Sequence, residues 1–488
     1  MSTTTAARNP EEGRVRKPIP PSDQTWLHMD RPNNLMHVRS LMWFDEPVGP
    51  DAVRRVLEER LIARHPVFRR RAVEHDGEWY WEDDPDFDLD NHVRVVGLEG
   101  DEEDLRTWIG EQFAVPFDPD RPLWTIDLVE GIDGYGTVMF TRLHHALADG
   151  IRLVQLMFSL CDPADGSAQL PVSVGRAHRS AGLLATGAAL GRRGAGDAGD
   201  LVLGALKVPL RVAATLSPRL VREGLGLARH PLRVIDAMEA ITSRENQSVN
   251  TIAEVSRILT APPSTRTAWS GTPGVEKVVS WARGIDLARV KEIGRATDGT
   301  VNDVLLAVVS HALTRYLDEK DALVDEIAWL VPVSLVPFDA DLPEDLGNHF
   351  SLVFLPMPLG LGSTREAVAA MKERMLRIKH SVEPVITFGV QWMIAESPRA
   401  LAVRLTEFFA NKGVGVLTNV PGPREQVTFA GVPVAGTLGW VPMSGHQPLG
   451  IAIFSYDGEV TIGVAGDAGL VPDPDRIAEL IEQEYAAM

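Results

Sequence analysis

The chain has 488 residues, of which 44% are hydrophobic and 24% are charged, so it has enough apolar material for more than one core. This composition excludes a small disulfide-stapled scaffold, a collagen-like repeat and a chain that is disordered throughout. The formal net charge of −19 opposes general binding to nucleic acid, because the phosphates would be repelled.

Cysteine content and the lengths of apolar runs predict a cytoplasmic protein. Cys161 is the only cysteine, so neither an intramolecular disulfide nor a cysteine-based zinc site can form. Residues 1–16 are polar and predicted to be flexible, and they lack the apolar stretch of about 7–15 residues that a secretory signal needs. No run reaches the roughly 20 apolar residues of a membrane-spanning helix, so any membrane contact is expected to be peripheral.

Residues 17–175 are predicted to form a first domain of mixed strands and helices. Alternating residues indicate strands, and apolar residues at helical spacing indicate helices. The segments are HVRSLMWF from His37, DAVRRVLEERLIARHP from Asp51, WYWE from Trp79, DEEDLRTWIGEQF from Asp101 and GYGTVMFTRL from Gly134.

Residues 176–261 are predicted to be a basic helical linker. Between Arg176 and Arg244 there are eleven Lys or Arg against five Asp or Glu, in a chain that is otherwise acidic. Apolar clusters alternate with these basic residues as in amphipathic helices, which suit an anionic lipid surface. The alternative is an interdomain connection whose arginines are solvated.

Residues 262–488 are predicted to form a second domain of the same kind. VNDVLLAVVSHALTRYL from Val301 predicts a buried helix, and GEVTIGVAGD from Gly458 predicts a late strand. Strands are repeatedly followed by short turns, so antiparallel pairing is expected in both domains. The predicted fold class is therefore α/β or α+β in two domains.

The segment LHHALADG, Leu143 to Gly150, is the strongest candidate for a chemical site. A predicted strand precedes it and GIRLVQLMFSL, with apolar residues at helical spacing, follows it. The motif therefore lies at a strand-to-helix turn, where side chains at the end of a rigid element can meet a substrate.

The residues alone leave three interpretations of this motif open. His145 can act as a general base, a role worth about 10²- to 10⁴-fold in rate, with Asp149 holding the loop or orienting an imidazole. His145 and Asp149, four residues apart, can face a metal, but a third ligand and an HExxH pattern are missing. In a structural interpretation Asp149 caps a helix, Gly150 allows tight packing, and His144 and His145 are buried core groups.

HHALADG matches the HHxxxDG motif of the CoA-dependent acyltransferase superfamily, and its flanking segments resemble the bacterial wax ester synthase/acyl-CoA:diacylglycerol acyltransferase (WS/DGAT) family. The resemblance covers most of the chain from about residue 18. Its segments are PPSDQTWL from Pro20, DRPLW from Asp120, NDVLLAVVSHAL from Asn302, LGNHFSLVFLPMP from Leu346, LTNVPGP from Leu417, LGWVPMSG from Leu438 and SYDGEVTIGVAGD from Ser455. Val336 departs from the pattern, because related sequences often have a basic residue there.

This resemblance implies two chloramphenicol-acetyltransferase-like domains with mixed sheets that flank a central substrate channel. It implies an O-acyltransferase that moves a long-chain acyl group from acyl-CoA to diacylglycerol or a long-chain alcohol, giving triacylglycerol or wax ester. His145 would be the general base, without a covalent acyl-enzyme, and His144, Asp149 and Gly150 would complete the motif. Acyl-CoA is then a co-substrate, and neither a cofactor nor a metal is implied.

Further candidate residues come from the matching segments of the second domain. Asn302 is the leading candidate for a donor to the oxyanion of the tetrahedral intermediate, with a helix cap as its alternative role. Asp303, Thr418 and Asn419 are candidates for substrate binding near the channel.

A lipid acceptor predicts peripheral contact with the inner membrane face or with lipid droplets, made by the basic middle segment. Two other functions stay open at this point. One is an acyltransferase of the same fold that esterifies a polyketide or glycolipid alcohol, and the other is a non-catalytic lipid-binding protein that keeps the channel.

Overall fold

The structure is a computed structural model that describes residues 16–166, 264–334, 342–380, 387, 390–391, 394–395 and 397–488. Three predictions concern residues outside these ranges. They are the flexible N-terminus up to residue 15, the basic linker over 176–261 and the departure from the family pattern at Val336.

The described residues form strands and helices in alternation. The strands are β1 (Arg16–Pro18), β2 (His37–Phe44), β3 (Arg70–His75), β4 (Glu78–Asp83), β5 (Val93–Gly100), β6 (Trp124–Ile132), β7 (Thr137–His144), β8 (Asp162–Pro163), β9 (Lys277–Asp286), β10 (Glu326–Ser334), β11 (Phe350–Pro358), β12 (Gly415–Pro421), β13 (Val427–Phe429), β14 (Val432–Pro433), β15 (Gly436–Trp440), β16 (Leu449–Tyr456) and β17 (Glu459–Asp467). The helices are α1 (Pro21–Met29), α2 (Pro50–Val56), α3 (Glu102–Gln112), α4 (Gly150–Ser159), α5 (Leu287–Thr297), α6 (Val301–Asp318), α7 (Thr364–His380), α8 (Arg399–Ala410) and α9 (Pro474–Ala487). Within the described ranges, no helix combines the length and apolarity needed to cross a membrane.

The helices and strands predicted from local patterns are confirmed. HVRSLMWF is β2, and the helix predicted from Asp51 is α2, which continues as a π-helix over Leu57–Ile62. α3 begins behind Asp101, whose carboxylate accepts from the N–H groups of Glu103 and Asp104. The predicted buried helix is α6, and twelve of its eighteen residues are buried.

Two mixed sheets form the centres of the two halves. The N-terminal sheet has the strand order β15-β2-β7-β6-β5, and the C-terminal sheet has the order β11-β10-β12-β16-β17-β9. Three neighbouring pairs are parallel, β5 with β6, β10 with β12 and β12 with β16, and the remaining pairs of these sheets are antiparallel. The predicted mixture of α/β structure with antiparallel pairing is therefore confirmed.

One strand of the C-terminal half, β15, crosses into the N-terminal sheet. β15 follows β12 in the chain, yet it pairs with β2 in the N-terminal sheet, with Gly436 opposite Trp43 and Trp440 opposite Arg39. A hydrophobic cluster that includes Trp281 and Ile109 fills the space next to this crossover. Separating the halves would break sheet hydrogen bonds and expose apolar surface. Because this is unfavourable, the halves keep a fixed relative position, and the space between them has a defined shape.

Candidate active site

A cavity of about 350 Å³ lies between the two halves. The N-terminal half lines it with α1, β2, β7 and α4, and the C-terminal half lines it with β10, β11, β12, β16 and α8. Most of the lining side chains are apolar. They include Met36, Met139, Met157, Phe354 and Phe409. Such a wall suits an apolar or amphiphilic small molecule, oriented by the few polar groups among the apolar ones.

The HHALADG motif lies at the wall of this cavity, between the end of β7 and the start of α4. The N–H of His145 donates to the carbonyl of Met36 at 2.8 Å. The carbonyl of His145 accepts from Nδ2 of Asn348 at 2.9 Å. The backbone of His145 is therefore held from both sides, once by each half of the chain.

The imidazole of His145 lines the cavity, and only 7% of the residue is exposed. The indole of Trp26 stacks on it with ring centroids 3.8 Å apart, and Phe350 lies 5.7 Å away. Nδ1 is buried and has no hydrogen-bond partner in the described part of the structure. Nε2 is therefore the ring nitrogen that is presented to the cavity.

The His145 ring is neutral at pH 7. Burial lowers the pKa of this imidazole to about 4, and His144 acts in the same direction, while the carbonyl of His145 and the side chain of Asn348 act against it. A neutral imidazole has one N–H and one free lone pair, so it can take a proton without first losing one. The tautomer decides which nitrogen has the lone pair.

His144 is turned away from the cavity. Its Nδ1 accepts from the N–H of Ala146 at 3.0 Å, so its Nε2 has the proton and donates to Oδ2 of Asp30 at 3.0 Å. The other carboxylate oxygen of Asp30 accepts from the N–H of Met36 at 2.6 Å. His144 therefore supports the loop rather than facing a ligand.

Asp149 caps α4 and also links the two halves. Its Oδ1 accepts from the N–H of Arg152 at 2.9 Å, and its Oδ2 accepts from the N–H of His349 at 2.9 Å. The N–H of Asp149 donates to the carbonyl of Gly347 at 3.3 Å. Asp149 is thus the helix cap of the structural interpretation, and it additionally holds the segment that leads into β11.

Gly150, the first residue of α4, has open space beside it. A Cβ built on Gly150 would meet no atom within 4 Å, so the tight packing considered from the sequence is absent among the described residues. Because Gly150 lines the cavity, a side chain at this position would occupy space next to His145. The glycine therefore keeps this part of the cavity open.

The candidates of the second domain divide into two groups. Thr418 lines the cavity. Asn302, Asp303 and Asn419 do not line it: Asn419 donates from Nδ2 to Oδ1 of Asn302 at 3.0 Å, and Asp303 closes a capping box with Thr300 at the start of α6. The pair Asn302–Asn419 joins α6 to β12 outside the cavity lining, whereas Asp303 stabilises only the start of α6.

The segments PPSDQTWL and LGNHF also contribute side chains to the site, and their roles are not evident from the sequence alone. Asp23 and Trp26 belong to the first segment, and Asp30 is the C-cap of its helix α1. Trp26 and Asp30 contact the HHALADG loop directly, and Asp23 contacts it through Asn348. Their spacing of three and four residues is the signal that could have placed them on one face of α1.

Asp23 reaches His145 through Asn348. Its Oδ1 accepts from Nδ2 of Asn348 at 2.8 Å and from the N–H of Asn348 at 3.2 Å. Burial raises the pKa of the Asp23 carboxyl to about 6, and the hydrogen bonds from Asn348 and Ser22 act against this rise. A pKa of about 6 still leaves the ionised form of Asp23 predominant at pH 7.

Other chemistries find less support in the described residues. No three His, Cys, Asp or Glu side chains there are grouped so that they could hold a metal ion. Cys161 is buried, does not line the cavity, and burial raises the pKa of its thiol. A thiol in such surroundings is a poor nucleophile.

Comparisons with known proteins give a consistent family. The profile of the wax ester synthase/diacylglycerol acyltransferase catalytic domain matches residues 19–305, and that of the WS/DGAT C-terminal domain matches residues 346–488. The O-acyltransferase WSD of Acinetobacter baylyi is 25% identical over 495 residues, which cover 96% of this chain and 96% of that protein.

Solved structures show the same fold. The wax ester synthase/diacylglycerol acyltransferase from Marinobacter aquaeolei aligns with a TM-score of 0.64 and 20% identity over 96% of this chain and 98% of that chain. The first condensation domain of the calcium-dependent antibiotic synthetase aligns with a TM-score of 0.55 and 16% identity over 97% of each chain. These likenesses concern the fold and confirm the fold class expected from the sequence.

The buried carboxylate of Asp23 predicts a pH dependence of stability. Its pKa of about 6 in the folded protein lies above the ordinary value of 3.8, so its ionisation opposes folding, and stability is lost as the pH rises from about 4 to 6. This difference corresponds to about 3 kcal/mol. We expect the unfolding free energy of the wild type, measured by urea denaturation, to fall by about that amount relative to Asp23→Asn between pH 4 and 7.

Asp120→Asn is the matched control for this measurement, because it removes one carboxylate at a side chain that is 88% exposed. A stability difference between wild type and Asp23→Asn that stays constant over this pH range would show that folding does not raise the pKa of Asp23.

Proposed function

The chain belongs to the wax ester synthase/diacylglycerol acyltransferase family, and we propose that it transfers a long-chain acyl group from acyl-CoA to diacylglycerol or a long-chain alcohol with His145 as general base. Membership of this family confirms the predicted class of activity, O-acyl transfer. The observation that supports the role of His145 is its place in the structure: a neutral imidazole, held by both halves, with Nε2 facing an apolar cavity.

The proposed reaction is a direct transfer. The acceptor hydroxyl gives its proton to Nε2 of His145 while its oxygen forms a bond to the thioester carbonyl carbon. The tetrahedral intermediate then collapses, the carbon–sulfur bond breaks, and the coenzyme A thiolate takes the proton from the imidazolium. Because burial lowers the pKa of His145 to about 4, this return of the proton is favourable and restores the neutral base.

The oxyanion of the intermediate needs hydrogen-bond donors that are already in place. Gly150 and Ile151 are the first two residues of α4, and both line the cavity. Their N–H groups have no acceptor within the helix, and they lie at its positive end. We therefore assign the oxyanion site to these two groups rather than to Asn302, which lies behind the cavity wall.

Replacing His145 is the direct test of the proposed base. We expect His145→Ala to lower the rate of acyl transfer by about 10²- to 10⁴-fold, because proton removal in the transition state is lost. Purified protein is incubated with palmitoyl-CoA and either dipalmitoylglycerol or hexadecanol. Release of free thiol gives the rate, and mass spectrometry identifies the ester.

Replacement of the exposed His446 by Ala is the control for loss of one histidine. Unchanged activity of His145→Ala would refute the role of the base. Thiol release by the wild type without either ester would point to an acceptor of another chemistry, such as a polyketide or glycolipid alcohol. Absence of thiol release would support a lipid-binding protein without turnover.

Filling the space beside Gly150 tests the proposed position of the reacting groups. Gly150→Leu places a side chain where a Cβ would meet no atom, so we expect the fold to be kept and the transfer rate to fall by about 10²-fold as the thioester is displaced. Circular dichroism and thermal unfolding check the fold, and thiol release gives the rate.

Gly49→Leu is the control for this substitution, because a Cβ at Gly49 also meets no atom within 4 Å, but Gly49 does not line the cavity. A wild-type rate in Gly150→Leu would place the reacting carbonyl elsewhere in the cavity.

We further propose that the protein works in the cytoplasm and contacts the inner membrane face or lipid droplets. Its acceptors are lipids, which must be collected from an interface. The net charge of +6 between Arg176 and Arg244 supports attraction to anionic lipid, since the rest of the chain is acidic.

Neutralising part of the basic middle segment tests this contact. Flotation with vesicles of phosphatidylglycerol and phosphatidylcholine is expected to fall when four arginines are replaced by Gln, because each basic residue near an anionic surface contributes about 1 kcal/mol. The four are Arg192, Arg193, Arg219 and Arg222.

The control variant removes the same charge from exposed arginines elsewhere in the chain. These are Arg55, Arg64, Arg295 and Arg377. Equal flotation of the two variants would show that the middle segment has no special part in lipid binding.

A further inference from the structure

The proposed function requires a particular tautomer of His145. Nε2 faces the cavity, so a general base needs the ring proton on Nδ1 and the lone pair on Nε2. In the opposite tautomer, Nε2 would present a proton to the acceptor hydroxyl and could not remove one. The Nδ1–H tautomer is therefore favoured only if a group next to Nδ1 accepts a hydrogen bond from it.

Two groups next to the ring favour its protonated form, the carbonyl of His145 itself and the amide of Asn348, and Asn348 is the side chain of the two. Its Nδ2 donates to Oδ1 of Asp23 at 2.8 Å and to the carbonyl of His145 at 2.9 Å, so the amino end of the amide is engaged on both sides. Its Oδ1 is buried and has no hydrogen-bond partner in the described residues, and Nδ1 of His145 is in the same condition. A buried acceptor and a buried donor that stay unpaired destabilise the folded protein. Oδ1 of Asn348 and Nδ1 of His145 avoid this cost if they bond to each other, and the two residues are already joined by a hydrogen bond.

Asp23 determines which way the amide of Asn348 is turned. Oδ1 of Asp23 already accepts from the N–H of Asn348, so this oxygen faces the amino end of the amide and repels the carbonyl end. The N–H of Asn348 donates to the same oxygen at 3.2 Å, which holds the backbone of Asn348 against Asp23 as well. The carbonyl end of the amide is thus directed away from Asp23.

We propose that Asp23 and Asn348 are positioning residues for His145: Asn348 accepts the Nδ1 proton of the imidazole through Oδ1, and Asp23 holds the amide in the orientation that makes this possible. The proposal rests on the proposed role of His145 as general base. When Nε2 takes the proton of the acceptor, the ring becomes an imidazolium, and the bond from Nδ1–H to Oδ1 becomes charge-assisted and stronger.

Trp26 restricts the remaining freedom of the ring. Its indole lies 3.8 Å from the imidazole with an angle of 18° between the planes, so the ring cannot turn about its χ2 bond without losing this contact. Asp23 and Trp26 both belong to α1, three residues apart, and Asp30 at the end of this helix accepts from His144. One helix therefore orients both histidines of the motif.

The tautomer can be measured directly in protein labelled with ¹⁵N-histidine. Two-bond proton–nitrogen correlations distinguish protonated from unprotonated ring nitrogens, and the spectrum of His145→Ala identifies the signals of His145. We expect the wild type to have the proton on Nδ1. In Asp23→Ala and Asn348→Ala we expect a mixture of tautomers, together with a fall in kcat of about 10- to 100-fold.

Asp23→Ala is the more informative of these variants, because Asp23 does not line the cavity and its loss is expected to leave KM nearly unchanged. In Asp23→Asn the N–H of Asn348 holds the new amide oxygen in the place of Oδ1, where it still accepts from Nδ2 of Asn348, so this variant is expected to restore most of kcat and the Nδ1–H tautomer. Asp101→Ala is the matched control: it removes the N-cap of α3 and lowers the melting temperature without touching this chain of hydrogen bonds.

Two results would overturn the proposal. One is a wild-type spectrum with the proton on Nε2 of His145, a result that does not depend on the folding of Asp23→Ala or Asn348→Ala. The other is a wild-type tautomer and a wild-type kcat in both Asp23→Ala and Asn348→Ala. If instead His145→Ala retains activity, the proposed function fails, and the tautomer measurement still tests the positioning of the ring separately.

Discussion

The backbone of His145 is held by one hydrogen bond from each half of the chain, and the rest of the site depends on this arrangement. Its N–H is bound by Met36 and its carbonyl by Asn348, so the residue is fixed only when both halves are in place. Asp149 repeats the pattern, because it caps α4 in one half and accepts from His349 in the other. The motif is therefore part of the contact between the halves, and the pairing of β15 with β2 adds sheet hydrogen bonds to that contact.

Much of the fold could be predicted, because its elements follow from local patterns. The alternation of β2, the charged start of α3 and the apolar stretch of α6 each depend on residues close together in the chain. The place of β15 could not be predicted in this way, since its partner β2 lies about 400 residues earlier. Pairing at such a distance is decided by the packing of whole sheets, and a single sequence contains no local sign of it.

The site was predictable where one segment contains it and hidden where two segments meet. His145, Asp149 and Gly150 share eight residues of sequence, and a strand-to-helix turn was enough to bring them together. The family resemblance makes Asn302 a candidate near the channel, and in the structure its Oδ1 accepts from Asn419 outside the cavity lining. Asn348, which does contact His145, is separated from it by about 200 residues, and composition gave no reason to connect them.

For the proposed role of His145 as a base, burial of the imidazole has two opposite effects. A pKa of about 4 makes the imidazole a weak base, which by itself slows removal of a proton from an alcohol. The same burial keeps the ring neutral at any pH near 7 and makes the imidazolium a strong acid towards a leaving thiolate. An acceptor next to Nδ1 stabilises the imidazolium that forms in the transition state, so part of the lost basicity is recovered there. The same acceptor has little effect on the energy of the neutral ring before the reaction. A buried amide held by a buried carboxylate has this property, whereas a carboxylate in direct contact with the ring would keep the imidazolium charged and slow the return of its proton.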